Sequence, residues 1–262
     1  MTTRLNAYLP RHTMTTHSLS GKIAVIIGGT GGIGFAAGRA LADLGASVVL
    51  TGRDAARTAK TVEGLPAGNH MAAYAEVADS ASLRKLAADV QHHYRRVDIL
   101  VNTSGFTRAI PHGDLDALDD DLIDELFAVN WRGQFAAIRA FAPALRASGA
   151  GLVVNVGSIA GRTGQGSNVA YCAAKAGLDV MAMSLGRALA PEIRVLNVSP
   201  GVVDTAFVPG RDSTFNERAA KTTPLRRIGH AEDVADAIVA CATSLRFATG
   251  TTIVVDGGRQ LG

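Results

Sequence analysis

The sequence predicts an α/β fold, a single Rossmann-type doubly wound parallel sheet of seven strands with helices on both faces. Three observations carry this. Short apolar runs alternate with helical segments at intervals of roughly 25 residues, the rhythm of βαβ units. The runs are almost continuously apolar, as strands covered on both faces must be. A glycine cluster closes the first run and opens the first helix.

Residues 22–27 (KIAVII) read as a buried strand, and a helix over 33–44 closes at Gly45. Strand 46–51 (ASVVLT) leads to Asp54, whose carboxylate caps a helix running toward Glu63. Strand 71–77, helix 80–94 and strand 97–102 (VDILVN) come next. Helices over 116–127 and 131–147 precede strand 151–156 (GLVVNV), and Asp119–Asp121 suit a helix start. A long helix of small residues spans 169–190 and stops at Pro191. Strand 193–198, helix 231–244 and strand 251–255 (TTIVV) complete the pattern. No linker divides it, so residues 21–262 are expected as one dinucleotide-binding and catalytic domain. The irregular stretch 202–229 is expected to act as a lid or binding loop. Residues 1–20 hold two Arg and no acid and precede the patterned chain, so they are expected as a disordered extension.

Composition excludes several classes. Apolar residues make up 47% of the 262 and charged residues 19%, below the ~25% of an average soluble domain, which excludes a disordered chain. The longest charge-free stretch, 23–38, has 16 residues and six glycines. That is too short and too polar in backbone for the ~18 apolar residues of a membrane span. The net charge is +3 and its bases are scattered, with Arg95–Arg96 and Arg226–Arg227 the only Arg–Arg doublets, so no nucleic-acid partner is expected. His92 and His93 are adjacent and point about 100° apart on a helix, there is no HExxH, and no metal is expected. Cys172 and Cys241 cannot build a disulfide framework and fit a reducing, cytoplasmic location.

The glycines run Gly28-Gly29-Thr30-Gly31-Gly32-Ile33-Gly34 between the first strand and first helix. Such a loop lets the chain approach a pyrophosphate that faces the helix's positive end. It reads as GxGxxG at Gly29, Gly31 and Gly34, or as GxxxGxG at Gly28, Gly32 and Gly34. Farther on, Tyr171 and Lys175 stand four apart and share one helix face. A free Tyr titrates near 10, too high for proton transfer at neutral pH. An adjacent ammonium favours the phenolate and lowers that value. Ser158 lies just beyond the fifth strand, at the carboxyl edge where open α/β sheets bind ligands.

Together these motifs resemble the short-chain dehydrogenase/reductase family, in particular its 3-oxoacyl-carrier-protein reductases. The resemblance covers residues 22–258. It rests on GGTGGIG at 28–34, NTSG at 102–105, Asn130 in AVNWRG, Ser158 in NVGSIAG, YCAAK at 171–175, SPGVVDT at 199–205 and VDGG at 255–258. It selects Gly28, Gly32 and Gly34 as the motif glycines. It implies Tyr171 as proton donor or acceptor, Lys175 as the group that lowers its pKa and holds the nicotinamide ribose, Ser158 as hydrogen-bond donor to the substrate oxygen, and Asn130 as holder of an ordered water. It also implies cofactor contacts from Thr30, Ile33, Asn102, Val203 and Thr205, with Glu76 and Val77 near adenine. Departures are Ile27 for the usual Thr, Thr103-Ser104 for Asn-Ala, and Glu76 for Asp.

NADP(H) is expected over NAD(H). Gly52 stands where an NAD enzyme of this family carries an acid at the end of the second strand, and Arg53 follows it. The usual second base in the glycine loop is replaced by Gly31. The implied reaction is hydride transfer between NADP(H) and a small-molecule carbonyl or secondary alcohol. The alternatives are an NAD-dependent alcohol dehydrogenase of the same family and a non-catalytic dinucleotide-sensing protein on the same fold. A sensor would be free to lose Tyr171 or Lys175, and this chain keeps both. Phe106, Gln165 and Phe207 are candidates to line the substrate pocket, and Trp131 to sit in the core or a subunit contact. The helices 131–147 and 169–190 are apolar on more than one face, and the family pairs them between subunits, so a homotetramer is expected.

Overall fold

The computed structural model describes residues 18–208 and 213–261. Its strands are β1 (Ile23–Ile27), β2 (Ser47–Gly52), β3 (Met71–Tyr74), β4 (Ile99–Asn102), β5 (Gly151–Val156), β6 (Ile193–Pro200) and β7 (Thr251–Val255). The helices between them are α1 (Gly32–Asp43), α2 (Ala55–Val62), α3 (Ser80–Tyr94), α4 (Asp120–Phe127), α5 (Gly133–Ala147), α6 (Ala160–Thr163), α7 (Val169–Ala188), α8 (Ser213–Thr222) and α9 (Ala231–Thr243). The seven strands form one parallel sheet in the order β3-β2-β1-β4-β5-β6-β7. Chain direction reverses across the sheet between β1 and β4, which opens a crevice at their carboxyl ends.

Strand periodicity explains why the apolar runs are continuous. Alternate residues of one strand point to opposite faces. Ala24 and Ile26 of β1 join a core with Leu41 of α1 and Ile238 of α9. Val25 and Ile27 join a second core with Leu86 of α3, Phe141 of α5 and Leu178 of α7. Every position of a central strand is therefore inside.

Several boundaries differ from the sequence reading. Strand β3 ends at Tyr74, because Glu76 and Val77 belong to a turn: Glu76 Oε1 accepts from Ala78 N at 3.2 Å and Asp79 N donates to Glu76 O at 3.1 Å. Helix α4 begins at Asp120 because the Asp119 carboxylate caps it, accepting from Leu122 N at 2.8 Å. Before α5 the chain makes a π-helical turn over Ala128–Arg132. The stretch 202–229, expected to be irregular, contains α8. Leu19 is buried and donates its N–H to Leu44 O at 2.7 Å, so the folded body reaches into the expected extension; residues 1–17 lie outside the described residues.

At the opposite, amino end of the sheet Asp98 ties β1 to β4. Its side chain is 2% exposed and accepts from Lys22 Nζ at 2.9 Å, Ile23 N at 3.1 Å and Arg96 Nη2 at 2.7 Å. Burial pushes this carboxyl up, but the Arg96 and Lys22 hydrogen bonds outweigh it and hold it below its ordinary range. Asp98→Ala is expected to cost about 3 kcal/mol, near the low end for a broken buried pair, because Lys22 and Arg96 can turn back to water. A depressed carboxylate stabilises the fold above its unfolded value near 3.9 and loses this as pH falls through the folded value. Urea melts of the two proteins should thus differ at pH 7 and converge below about pH 4; equal midpoints at pH 7 would remove Asp98 as a structural tie.

Candidate active site

The predicted site residues gather at the carboxyl ends of the strands. The glycine loop follows β1, Arg53 follows β2, Glu76 and Val77 follow β3, and Asn102 ends β4. Ser158 follows β5, Val203 and Thr205 follow β6, and Asn130 sits in the π-helical turn. A cleft of about 1450 Å³ opens there, lined by Ser158, Tyr171, Lys175, Ile33, Val203 and Thr205 among others. Asn130, the loop glycines, Thr30, Arg53, Glu76, Val77 and Asn102 stand outside that lining.

The glycine loop has the shape a pyrophosphate needs. Gly28 has φ +86°, and a Cβ there would stand 2.7 Å from Ser104 Oγ. A Cβ on Gly34 would meet the Gly28 carbonyl, and one on Gly32 would lie 2.9 Å from Thr205 Cγ2. All three GxxxGxG positions are crowded; of the other pattern Gly29 is equally so, a Cβ there lying 2.9 Å from Leu50 Cβ, whereas one on Gly31 would approach only Gly28 O, at 3.5 Å. Helix α1 starts with no side-chain cap and no acid in its first turn, so its positive end is open to an anion.

Tyr171 is placed by its own helix start. Asn168 caps α7, its Oδ1 accepting from Tyr171 N at 2.7 Å, and its Nδ2 donates to Arg108 O at 2.8 Å. One turn on, Lys175 is 4% exposed and donates from Nζ to Val156 O at 2.9 Å. That ammonium lies 5.7 Å from the centroid of the Tyr171 ring, within cation–π range. Burial lowers the Lys175 amine to about 8. Ser158 Oγ accepts from Ala160 N at 3.1 Å, which fixes its loop at the start of α6. Asn130 Nδ2 donates to Phe106 O at 2.9 Å and Leu126 O at 3.0 Å, while its buried Oδ1 has no partner among the described residues. A Cβ on Gly105 would stand 2.7 Å from that oxygen.

A polar ladder crosses the sheet beneath the cleft. Asn102 Nδ2 donates to Asn155 Oδ1 at 2.9 Å, Asn155 Nδ2 to Asn197 Oδ1 at 3.1 Å, and Asn197 Nδ2 to Asp179 Oδ1 at 2.9 Å. Asp179 also accepts from Thr252 Oγ1 at 2.7 Å and Arg162 Nε at 3.3 Å. An ionised carboxylate only accepts, so Asp179 sets the sense of all three amides. Asn102 Oδ1 is left as the open end, buried and without a partner among the described residues.

Sequence reasoning missed three parts of this region. Phe215, Arg218 and Thr222 of α8 line the cleft from one helix face; the run NERAAK is made mostly of good helix formers and carried that signal. Arg259, also lining, pins the end of α8 through Ala219 O at 3.0 Å and Thr222 Oγ1 at 2.8 Å. Arg57 donates from Nη2 to Thr30 O in the glycine loop at 3.3 Å. Of the pocket candidates, Gln165 and Phe207 line the cleft, with Phe207 6.1 Å from the Tyr171 ring centroid. Phe106 instead packs on the small core around Ile110 and Leu126. Trp131 stacks on Phe135 at 6.1 Å.

Comparison with known proteins fits this geometry. A family model described as enoyl-(acyl carrier protein) reductase matches residues 28–260. A ketoacyl reductase of the granaticin polyketide synthase from Streptomyces violaceoruber is 36% identical over 251 residues, 95% of this chain and 100% of that one. The 3-oxoacyl-acyl-carrier-protein reductase of Escherichia coli is 30% identical over 246 residues, 93% of this chain and 99% of that one. A solved short-chain dehydrogenase/reductase from Burkholderia xenovorans superposes with TM-score 0.86 at 33% identity, covering 94% of this chain and 100% of that one.

Proposed function

The chain belongs to the short-chain dehydrogenase/reductase family, and from that premise we propose that it is an NADP(H)-dependent carbonyl reductase in which Tyr171 moves the proton. The observation that carries the reading is the Tyr171–Lys175 pair, buried on one turn of α7 with the ammonium against the ring and Ser158 in the same cleft. The bound nicotinamide supplies the hydride. Tyr171 gives its phenolic proton to the substrate oxygen. Lys175 favours the resulting phenolate by its charge, and Ser158 hydrogen-bonds the same oxygen as negative charge develops. Asn130 Oδ1, buried and unpartnered among the described residues, suits an ordered water on the proton's path from solvent to Lys175.

The chain's residues fit the dinucleotide. Gly28, Gly32 and Gly34 leave room for the pyrophosphate, with Thr30 and Ile33 beside it. Lys175 and Tyr171 serve the nicotinamide ribose, Asn102 the cofactor's ribose region, Val203 and Thr205 the carboxamide, and Glu76 and Val77 the adenine side. Gly52 supports NADP(H) twice. It offers no carboxylate, and a Cβ there would stand 2.5 Å from Thr58 Oγ1 and 2.9 Å from Thr30 Cγ2, so the corner is packed around its absence.

For the substrate we take a 3-oxoacyl thioester. The relatives named as ketoacyl and 3-oxoacyl-acyl-carrier-protein reductases support it. So does a cleft lined by Lys175, Arg162, Arg218 and Arg259 with no lining carboxylate among the described residues, which suits an anionic carrier. NADPH consumption at 340 nm should be fastest with 3-oxoacyl thioesters, compared with simple ketones and steroids. No turnover on any carbonyl, together with tight dinucleotide binding, would favour the sensor reading instead.

The same reading includes a cytoplasmic homotetramer. Val180 and Met183 are exposed on α7, and the Trp131–Phe135 stack is only half-buried on the neighbouring segment. Around edge strand β7, Phe247, Leu225 and Leu261 are exposed. Two separate apolar patches suit the two contacts of a tetramer with dihedral symmetry. Light scattering at micromolar concentration is expected to give four chain masses; a monomer would refute it.

A further inference from the structure

The NADP(H) reading so far places one cation at the ribose corner. Arg53 is 79% exposed and only loosely paired, its Nη1 3.8 Å from Glu76 Oε2. In the glycine loop Gly31 supplies no second base. The structure brings a different arginine to that gap. Arg57 lies in the first turn of α2, where its N–H donates to Asp54 Oδ1 at 3.0 Å. Its side chain turns back to the glycine loop, and Nη2 donates to the carbonyl of Thr30 at 3.3 Å. Thr30 is itself packed against Gly52, since a Cβ on Gly52 would lie 2.9 Å from its Cγ2. Thr30, Gly52, Arg53 and Arg57 therefore share the corner between the carboxyl ends of β1 and β2. There the adenosine ribose hydroxyls lie when this fold holds a dinucleotide.

We propose that Arg57 is the second arm of the 2′-phosphate site, closing on that phosphate opposite Arg53. The proposal rests on the NADP(H) reading above. A guanidinium has five N–H donors in a planar fork, and the Thr30 carbonyl takes only one of Arg57's. Among the described residues no carboxylate is ion-paired with Arg57. Arg57 sits at the positive end of α2, where the Asp54 carboxylate already caps the helix, and a bound phosphate would add a second anion at that end. The Thr30 bond holds the fork in position before the phosphate arrives, so less side-chain freedom is lost on binding. The loose Arg53–Glu76 pair, weak because it is exposed, yields readily to a dianion.

Fluorescence and calorimetric titrations with NADPH, NADH, 2′-AMP and 5′-AMP test this in the wild type, Arg57→Ala, Arg57→Lys and Arg53→Ala. Wild type is expected to bind NADPH at least about tenfold more tightly than NADH. Loss of one charge-assisted hydrogen bond should weaken NADPH and 2′-AMP by about tenfold or more and leave NADH and 5′-AMP within about twofold. Lys at position 57 should recover part of the loss, since it keeps the charge without the fork. The preference of Arg57→Ala for NADPH should also fall less steeply with added salt than that of the wild type. If Arg57→Ala leaves NADPH and 2′-AMP unchanged while Arg53→Ala weakens them, the proposal fails and the NADP(H) reading stands. Equal weakening of NADPH and NADH would mean that Arg57 only braces the glycine loop, and would also overturn it. If the wild type binds NADH as tightly as NADPH, the NADP(H) reading falls and takes the proposal with it.

Discussion

Tyr171→Phe is expected to lower kcat by about 10²–10⁴-fold, the contribution of a positioned general acid, with coenzyme affinity and melting temperature close to wild type. The substitution removes one oxygen and keeps the backbone and ring contacts that place the side chain. The residue is positioned by its backbone N–H on Asn168 Oδ1 and by the ring against Lys175 and Phe207, and none of these uses the hydroxyl. A selective loss of kcat with an unchanged KM for NADPH would mark an interaction made in the transition state alone. Turnover at a near wild-type rate would remove Tyr171 from the reaction, and the Ser158 hydroxyl, which lines the same cleft, would be the next group to substitute.

The parts of the molecule readable from sequence are those fixed by local rules. Val25 and Ile26 point to opposite cores, so β1 had to be apolar throughout, and that run announced a doubly covered strand. Asp54 announced its helix because an N-cap needs a short acceptor at one position, whereas the acids at 119–121 marked a helix start without showing that Asp119 is the cap. Tyr171 and Lys175 were legible because helix geometry alone makes residues four apart neighbours. What stayed hidden depends on contacts between segments far apart in the chain. Arg57 looks like any first-turn arginine until α2 is laid beside the glycine loop and its fork meets Thr30. Asp179 reads as an exposed helix residue until Asn197 and Thr252 arrive from two different strands. The π-helical turn that carries Asn130 has no composition of its own; it follows from holding one side chain against the carbonyls of both Phe106 and Leu126. Helix α8 was masked by its low apolar content, since it packs few residues inward and turns Phe215 and Arg218 to the cleft.

Lys175→Met is expected to lower kcat by a factor comparable with Tyr171→Phe, to weaken coenzyme binding as well, and to change how stability depends on pH. The double loss follows from two assigned tasks, lowering the Tyr171 pKa and holding ribose hydroxyls. The pH effect follows from burial, which lowers the Lys175 amine to about 8 against an ordinary value near 10.4. Below about pH 8 both the folded and unfolded chains carry the proton, and the fold bears the full cost of a buried ammonium. Between about 8 and 10.4 the unfolded chain binds more protons, so stability rises with pH. The rise from this one group is about 3 kcal/mol. The Met variant lacks it, so the stability difference between wild type and variant should shift by about that amount across the interval in coenzyme-free urea melts. The absolute difference at pH 7 is smaller, because Met leaves the Val156 carbonyl, which now accepts from Nζ at 2.9 Å, without that donor. That loss offsets about 1–2 kcal/mol. Parallel stability profiles from pH 8 to 10.4 would show that the ammonium is not desolvated in the free protein. A rising profile in the wild type alone would tie the activity to a stability cost: the charge that favours the Tyr171 phenolate does so strongly because little water screens it, and the same shortage of water makes it destabilising at neutral pH.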